Sequence, residues 1–299
     1  MNRFTFIFLV CIYALFLVYQ AFIEIPIGHQ LVVASIFILL FGIPHGAIDH
    51  VLFFRKRQMS TLKFYAIYLG LIVAFIGLWL WLPLLSFVLF LLLSAYHFGE
   101  SQLVDMSSSK LPFKSLIYFN WGLALLATLM YYNLQELNDI TAFFHDTLSL
   151  KVIYDEAVFF WFYLLTNVFN VFVLTLLFFK EKLNARRFSS ELFLIALIHI
   201  TFFLFPFIIG FSLNFVVLHS MVVMHQEYQF FKSENPAFSV FQFIKLLLPY
   251  SLLSIVFTSL LLLSSHWGYI NISIPFLAII IISVITLPHA IVMTIFYNK

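Results

Sequence analysis

The chain has a single cysteine, Cys11, and few charged residues. Asp, Glu, Lys and Arg make up 9% of its 299 residues, whereas a soluble domain carries roughly a quarter. One cysteine excludes an internal disulfide and any cluster of thiolate ligands. No linker or low-complexity stretch interrupts the sequence, so we expect a single membrane-embedded domain over residues 1–299.

Apolar residues are abundant and account for 64% of the chain. Apolar runs of about 18–23 residues alternate with charged or turn-rich joints, which predicts an all-α, polytopic membrane helix bundle. The first run has no obvious small-residue cleavage site, so we expect it to be a retained helix. Hydropathy leaves the joins at 83–86 and 210–212 open, as either turns between helices or breaks within one. The ten predicted transmembrane helices lie near 4–24, 31–53, 64–83, 86–104, 114–133, 158–179, 189–209, 211–231, 245–264 and 274–297.

The charge distribution supports this helix count and predicts an orientation. With the N-terminus in the cytoplasm, Lys151 alone of the fifteen Lys and Arg residues falls on the outer side. Lys110 and Lys299 are among those on the inner side, while the outer loop 134–157 is rich in acids. This asymmetry follows the positive-inside rule, so we expect both termini in the cytoplasm. The basic segments 55–63 and 180–187 are then explained by topology and anionic headgroups, and no nucleic-acid motif is present.

Histidines and acids of the even-numbered helices share one depth in the predicted bundle. At 1.5 Å per residue, five histidines lie about 10–20 Å from the cytoplasmic charges that end their helices. A polar residue inside a bilayer is costly, so a shared depth indicates a shared function. The five histidines on helices 2, 4, 8 and 10 are His45, His97, His219, His225 and His289, and the acids of the even helices are Asp49, Glu100 and Glu227.

Three of these histidines, His45, His97 and His219, are predicted to bind a metal ion. Neutral imidazole suits iron, copper, zinc or nickel. In lipid, a metal also supplies the partner that a buried imidazole would otherwise lack. The remaining histidines are explained as packing (His199), interfacial (His50), and solvated or interfacial residues of outer joints (His29, His145 and His266).

The stretch FGIPHGAIDH, residues 41–50, supports a built site on helix 2. Pro44 has no N–H for the carbonyl of Leu40 and tends to kink the helix just before His45. Asp49 follows His45 by four residues on the same helical face, so we expect its carboxylate to accept the second imidazole proton. Glu100, three residues after His97, is expected to act likewise. The alternative for both acids is an interfacial charge near a helix end.

Four motifs follow one another along nearly the whole chain: GIPHGAIDH, HFGE at 97–100, HS at 219–220 and LPH at 287–289. Together they resemble the Brp/Blh family, bacterial integral-membrane enzymes that cleave β-carotene centrally into two retinals. The resemblance implies a ferrous ion, Fe(2+), held by histidines, with O₂ as co-substrate. By position, His45, His97 and His219 match the family's metal histidines. The resemblance also implies the inner membrane of a bacterium, and an opsin as a candidate recipient of retinal.

The chain departs from this family on helix 8. The family usually shows H-S-x-x-H, but HSMVVMH places Val223 where the second histidine is expected. His225 is six residues from His219, about 600° of rotation, and so points roughly 120° away. Three solutions remain: a π-bulge that changes the phase of His225, His289 as the fourth ligand, or a site with three histidines. We favour His225, with His289 close behind.

Other classes of protein fit the sequence less well. A transporter or proton-relay protein also places His and acids inside the membrane, but no clear inverted repeat is present. A di-iron desaturase or hydroxylase needs more histidines in close boxes. A zinc site with a structural or hydrolytic role stays open, because imidazole binds both metals.

Overall fold

The computed structural model describes residues 2–22, 25–104 and 113–298, and within these ranges it is helical without a strand. Ten of its helices are long and apolar enough to cross a membrane, which confirms the predicted all-α class and number of spans. Lys110 and Lys299, which counted in the charge test, lie outside the described residues. In chain order the spans are α1 Arg3–Ala21, α2 Ile27–Lys56, α3 Thr61–Trp81, α4 Pro83–Leu103, α5 Lys114–Tyr132, α6 Glu156–Phe179, α7 Ala185–Leu204, α8 Phe207–Glu234, α9 Val240–His266 and α10 Ile274–Tyr297.

Both uncertain joins are turns between helices, and proline places each of them. Pro83 is the first residue of α4, a position where its missing N–H leaves no helical bond unmade. The second join was predicted at the wrong place, because α8 begins at Phe207 and Gly210 lies inside it. Phe205 is extended, with φ −116° and ψ 147°, since Pro206 disfavours a helical conformation in the residue before it. The turn therefore falls at the proline and not at the glycine.

Two of the helices that carry candidate histidines, α8 and α10, lie towards the centre of the bundle. More than half of the membrane-spanning window is buried in α5, α8 and α10, at 67%, 56% and 61%. The same share is 11% for α9, which is a peripheral helix. More than half of the side chains in these windows of α8 and α10 are thus shielded from lipid by the other helices.

The acidic segment between α5 and α6 holds the starts of two central helices. It contains a helix at Leu134–Phe143 and a 3₁₀ segment at His145–Ile153. Glu136 accepts a hydrogen bond from the backbone N–H of Phe207 at 2.7 Å, at the first residue of α8. Asp146 accepts from the backbone and hydroxyl of Ser273, just before α10, at 2.7 and 2.8 Å. These carboxylates meet the positive ends of the helix dipoles and satisfy their free N–H groups.

The closest helix packing is between α4 and α5, and two glycines permit it. A Cβ atom on Gly99 would lie 1.8 Å from the carbonyl oxygen of Tyr118. A Cβ atom on Gly122 would lie 1.7 Å from that of Ala95. Small residues at such crossings let helices approach closely in membranes, where van der Waals packing replaces the hydrophobic effect. His97 is on α4, so this contact sets the position of a candidate ligand.

We expect Gly99→Ala and Gly122→Ala to destabilise the bundle, because the added methyl group must push two backbones apart. Overpacking of this kind costs about 1–3 kcal/mol. Gly77→Ala on α3 is the matched control, since nothing lies within 4 Å of its Cβ position. The measurement is the midpoint of thermal unfolding of the detergent-purified variants. Equal midpoints for all three variants would show that the α4–α5 contact is looser than described.

Candidate metal centre

Four buried imidazole rings from four helices meet inside the bundle. His45 (α2), His219 (α8), His97 (α4) and His289 (α10) form a closed circuit in that order, with ring centroids 5.1, 4.7, 5.0 and 4.8 Å apart. Neighbouring ring planes are inclined by 77–87°. Every ring in the circuit belongs to a residue at most 8% exposed. The sequence predicted that these histidines share a depth, and the fold also brings them together laterally.

The break in α2 places His45. The helix widens into a π-helical turn at Ile38–Gly42, where the N–H of Ile43 bonds to the carbonyl of Ile38 at 2.9 Å, and then tightens into a 3₁₀ turn at Pro44–Gly46. Pro44 has no N–H to continue an α-helical ladder, so the regular pattern stops there. The Nδ1–H of His45 donates to the carbonyl of Gly42 in this irregular stretch. The kink predicted from Pro44 is therefore present as a change of helix type.

His219 lies in a second irregular stretch, the π-helical segment Asn214–Ser220 of α8. Its Nδ1 is 3.0 Å from the hydroxyl oxygen of Ser101. That hydroxyl donates its hydrogen to the carbonyl of Phe98 at 3.0 Å. A hydroxyl has one hydrogen, so it accepts from the Nδ1–H of His219. Nε2 then carries the lone pair.

His289 is oriented by a carboxylate from another helix. Its Nδ1 lies 2.8 Å from Oδ1 of Asp49, and Oδ2 of Asp49 accepts from the hydroxyl of Tyr68 at 2.9 Å. The carboxylate is 4% exposed and has partners on both oxygens. A carboxylate in this place fixes the tautomer of the imidazole and raises the basicity of its other nitrogen.

The nitrogens that remain fit a metal ion. One ring nitrogen from each of His45, His97 and His289 lies within 4.8 Å of those of the other two. Among the described residues, no side chain or backbone group bonds either nitrogen of His97 or Nε2 of His289. A buried polar atom without a partner costs about 1–3 kcal/mol, and a shared cation would remove that cost. His219 stands outside this group of three but touches His45 and His97 edge to face.

Sequence spacing assigned Asp49 to His45 and Glu100 to His97, and both assignments were wrong. Asp49 bonds to His289 and not to His45, because the 3₁₀ turn after Pro44 removes the α-helical i, i+4 relation. Glu100 accepts from the hydroxyls of Thr294 and Tyr96, at 2.6 and 3.2 Å, and not from His97. It is 3% exposed, so it is not an interfacial charge.

The favoured fourth ligand, His225, is not brought to the ring circuit. Its Nε2 is hydrogen-bonded to Arg3 and its ring packs against Phe4 on α1, where it is partly exposed. A π-helical segment is present, but it ends at Ser220, so the residues up to His225 follow α-helical phase. The rotation of roughly 120° away from His219 is therefore uncorrected. His289, the second choice, lies in the circuit instead.

The other histidines lie outside the circuit. His199 bonds through Nε2 to the side chain of Asn167 at 3.2 Å and through Nδ1 to Tyr132 and Tyr163, both at 3.4 Å. It is a packing residue of α7 with polar side-chain partners. His50 packs against Tyr250 with ring centroids 4.5 Å apart. His29 and His266 were expected in joints, but they lie in the first turn of α2 and at the end of α9; both are exposed, as is His145 at the start of the 3₁₀ segment.

The sequence analysis missed two residues that hydrogen-bond to the site, Ser101 and Tyr68. Ser101 follows His97 by four residues and so shares its helical face. The bond from Tyr68 depends on how α3 packs, which no local pattern reveals.

Glu227 is fully buried, and neither of its carboxyl oxygens has a hydrogen-bond partner among the described residues.

Comparison with known proteins identifies the family. The family described as beta-carotene 15,15'-dioxygenase matches residues 36–297. The beta-carotene 15,15'-dioxygenase of uncultured marine bacterium 66A03 is 36% identical over 85 residues, which cover 27% of this chain and 30% of that relative. The matched part thus spans less than a third of the relative. No solved structure matches the chain. Because the family match extends over all four histidines of the circuit, from α2 to α10, we conclude that the chain belongs to the beta-carotene 15,15'-dioxygenase family.

Proposed function

We propose that this protein cleaves the central double bond of β-carotene, or of a related carotenoid, with O₂ and releases two molecules of retinal. The observation that carries the proposal is the convergence of four buried imidazoles from four membrane helices. Family membership supports the substrate class and the reaction. The rings meet at one point instead of forming a chain across the bilayer, which disfavours the alternative of a transporter or proton relay.

We further propose that His45, His97, His219 and His289 hold one ferrous ion. His289 takes the place that sequence analysis favoured for His225. Val223, where the family usually has a second histidine, is fully buried in an apolar cluster with Ile48 and Met293. The fourth ring of the circuit therefore comes from α10, and Val223 supplies no ligand.

The ion, when bound by neutral imidazoles with a position left open, supplies O₂ binding and activation. The chain's own groups hold three of the four imidazoles in one tautomer. The carbonyl of Gly42, the hydroxyl of Ser101 and the carboxylate of Asp49 each engage an Nδ1, so that Nε2 of His45, His219 and His289 is left for the ion. The apolar surroundings limit access of water to the site.

The reaction explains why the site needs no acid or base at the substrate. One carbon–carbon double bond breaks, and each of its carbons gains one oxygen atom from O₂, so no proton is consumed or released. Two of the buried acids are engaged elsewhere: Asp49 orients a histidine, and Glu100 accepts from Thr294 and Tyr96.

The proposed setting is the inner membrane of a bacterium, with both termini in the cytoplasm. Carotene and retinal both dissolve in the lipid phase, so substrate and product enter and leave the bundle sideways through the bilayer. Transfer of retinal to an opsin would then take place inside the same membrane.

Expression in bacterial cells that accumulate β-carotene tests the reaction. We expect the orange cells to turn pale and retinal to become extractable. Cells expressing His97→Ala should keep their colour, because this variant lacks a central imidazole. Unchanged carotene in cells that contain folded, membrane-inserted wild-type protein would overturn the proposal.

Metal analysis of purified variants tests the ligand set. We expect His45→Ala, His97→Ala, His219→Ala and His289→Ala to lose bound iron, since each removes one ring of the circuit. His225→Ala is the matched control and should retain iron, because its ring lies against Phe4. Iron retained in His289→Ala and lost in His225→Ala would reverse our assignment.

The role of Asp49 has a separate test. Asp49→Asn removes the negative charge behind His289, and loss of such a partner lowers metal affinity about 10- to 100-fold. Glu100→Gln is the control, as a buried acid that contacts no histidine of the circuit. Titration of the metal-free proteins with ferrous ion under nitrogen gives both affinities. An equal loss in the two variants would mean that Asp49 acts through general stability and not through His289.

A further inference from the structure

A row of parallel aromatic rings on α8 leads to the histidine circuit. Phe207, Phe211, Phe215 and His219 follow one another at intervals of four residues. Consecutive ring centroids are 6.1, 5.5 and 5.6 Å apart, and consecutive planes are inclined by only 9°, 9° and 20°. The last ring of the row is itself a member of the circuit. We call these residues the aromatic row.

The π-helical segment keeps the row on one face of α8. In an α-helix a step of four residues turns about 400°, so each step drifts about 40° around the axis and three steps drift about 120°. A π-helix has more residues per turn and so turns less at each step. The change from α to π at Asn214 therefore reverses the drift and aligns His219 with the three phenylalanines.

The row is fixed at both ends and is not sealed inside the core. At its start, the N–H of Phe207 is held by Glu136. At its end, the ring of Phe215 lies edge to face with His45, with centroids 5.6 Å apart. All three phenylalanine side chains are partly exposed. At about 1.5 Å per residue the row is roughly 18 Å long, more than half of a hydrocarbon core of about 30 Å.

We propose that the aromatic row binds one half of the polyene and thereby sets which double bond lies beside the ion. This inference rests on the proposed function. A carotenoid is already dissolved in lipid, so burial of apolar surface gives little binding free energy, and close van der Waals and aromatic contacts must supply it. A rigid conjugated rod cannot bend, so a wall of fixed length ending at the circuit selects a bond by its distance from the end of the rod. Phe207, Phe211 and Phe215 are positioning residues in this scheme.

The test replaces rings by branched aliphatic side chains that stay apolar. Phe207→Leu and Phe211→Leu should each raise the KM for β-carotene about 3- to 10-fold, as expected for loss of an aromatic contact. Their kcat should change less. The products should also include apocarotenals of unequal length, because the rod can slide. Phe169→Leu is the matched control, since this residue lies on α6, is 41% exposed and is remote from the row in sequence; it should behave as wild type.

The outcomes separate this inference from the proposed function. If wild-type protein yields retinal and both row variants keep its KM and product pattern, the row plays no part in substrate binding, while the reaction stands. If wild-type protein yields no retinal, the proposed function fails, and carotenoid retained by purified protein after lipid washing becomes the readout. Retention lowered in Phe211→Leu but not in Phe169→Leu would support the row; equal retention, or phospholipid in place of carotenoid, would overturn it.

Discussion

The structure depends on one constraint: an imidazole buried in a membrane bundle must find partners for both of its nitrogens. Water is absent from the hydrocarbon interior, so each unsatisfied polar atom is costly. In this bundle three of the four central imidazoles have an Nδ1 partner supplied by a carbonyl, a hydroxyl or a carboxylate. Ring nitrogens of His45, His97 and His289 lie within 4.8 Å of one another, and a single cation would satisfy those without a partner. The four helices α2, α4, α8 and α10 each bring one ring to this place.

Irregular helix geometry does much of the positioning. Two π-helical segments, one before His45 and one containing His219, occur on the two helices whose histidines are neighbours in the circuit. In α2 the irregularity frees the carbonyl of Gly42 for His45. In α8 it keeps the aromatic row in line with His219. Such segments are rare in helices and are frequent at functional sites, and here each is tied to a specific ring.

The sequence predicted the ten spans, their order and the depth of the histidines, because hydrophobic run length and charge asymmetry are local signals that the bilayer enforces. The sequence analysis failed where the lateral packing of helices, or the rotation of a helix about its axis, decides which side chains meet. Asp49 was assigned to His45 by i, i+4 spacing, but the turn at Pro44 redirects it to a ring 240 residues away. His225 was ranked above His289, but its ring lies against Arg3 and Phe4 and not in the circuit. The bond from Tyr68 to Asp49 depends on how α3 packs, for which the sequence has no local sign.

X-ray absorption spectroscopy of the iron-loaded protein measures the coordination shell and tests the central claim most directly. The account predicts four imidazole nitrogens around one ion in the wild-type protein, one fewer in His289→Ala, and an unchanged shell in His225→Ala. A shell without imidazole, or one in which His225→Ala and not His289→Ala removes a nitrogen, would contradict it.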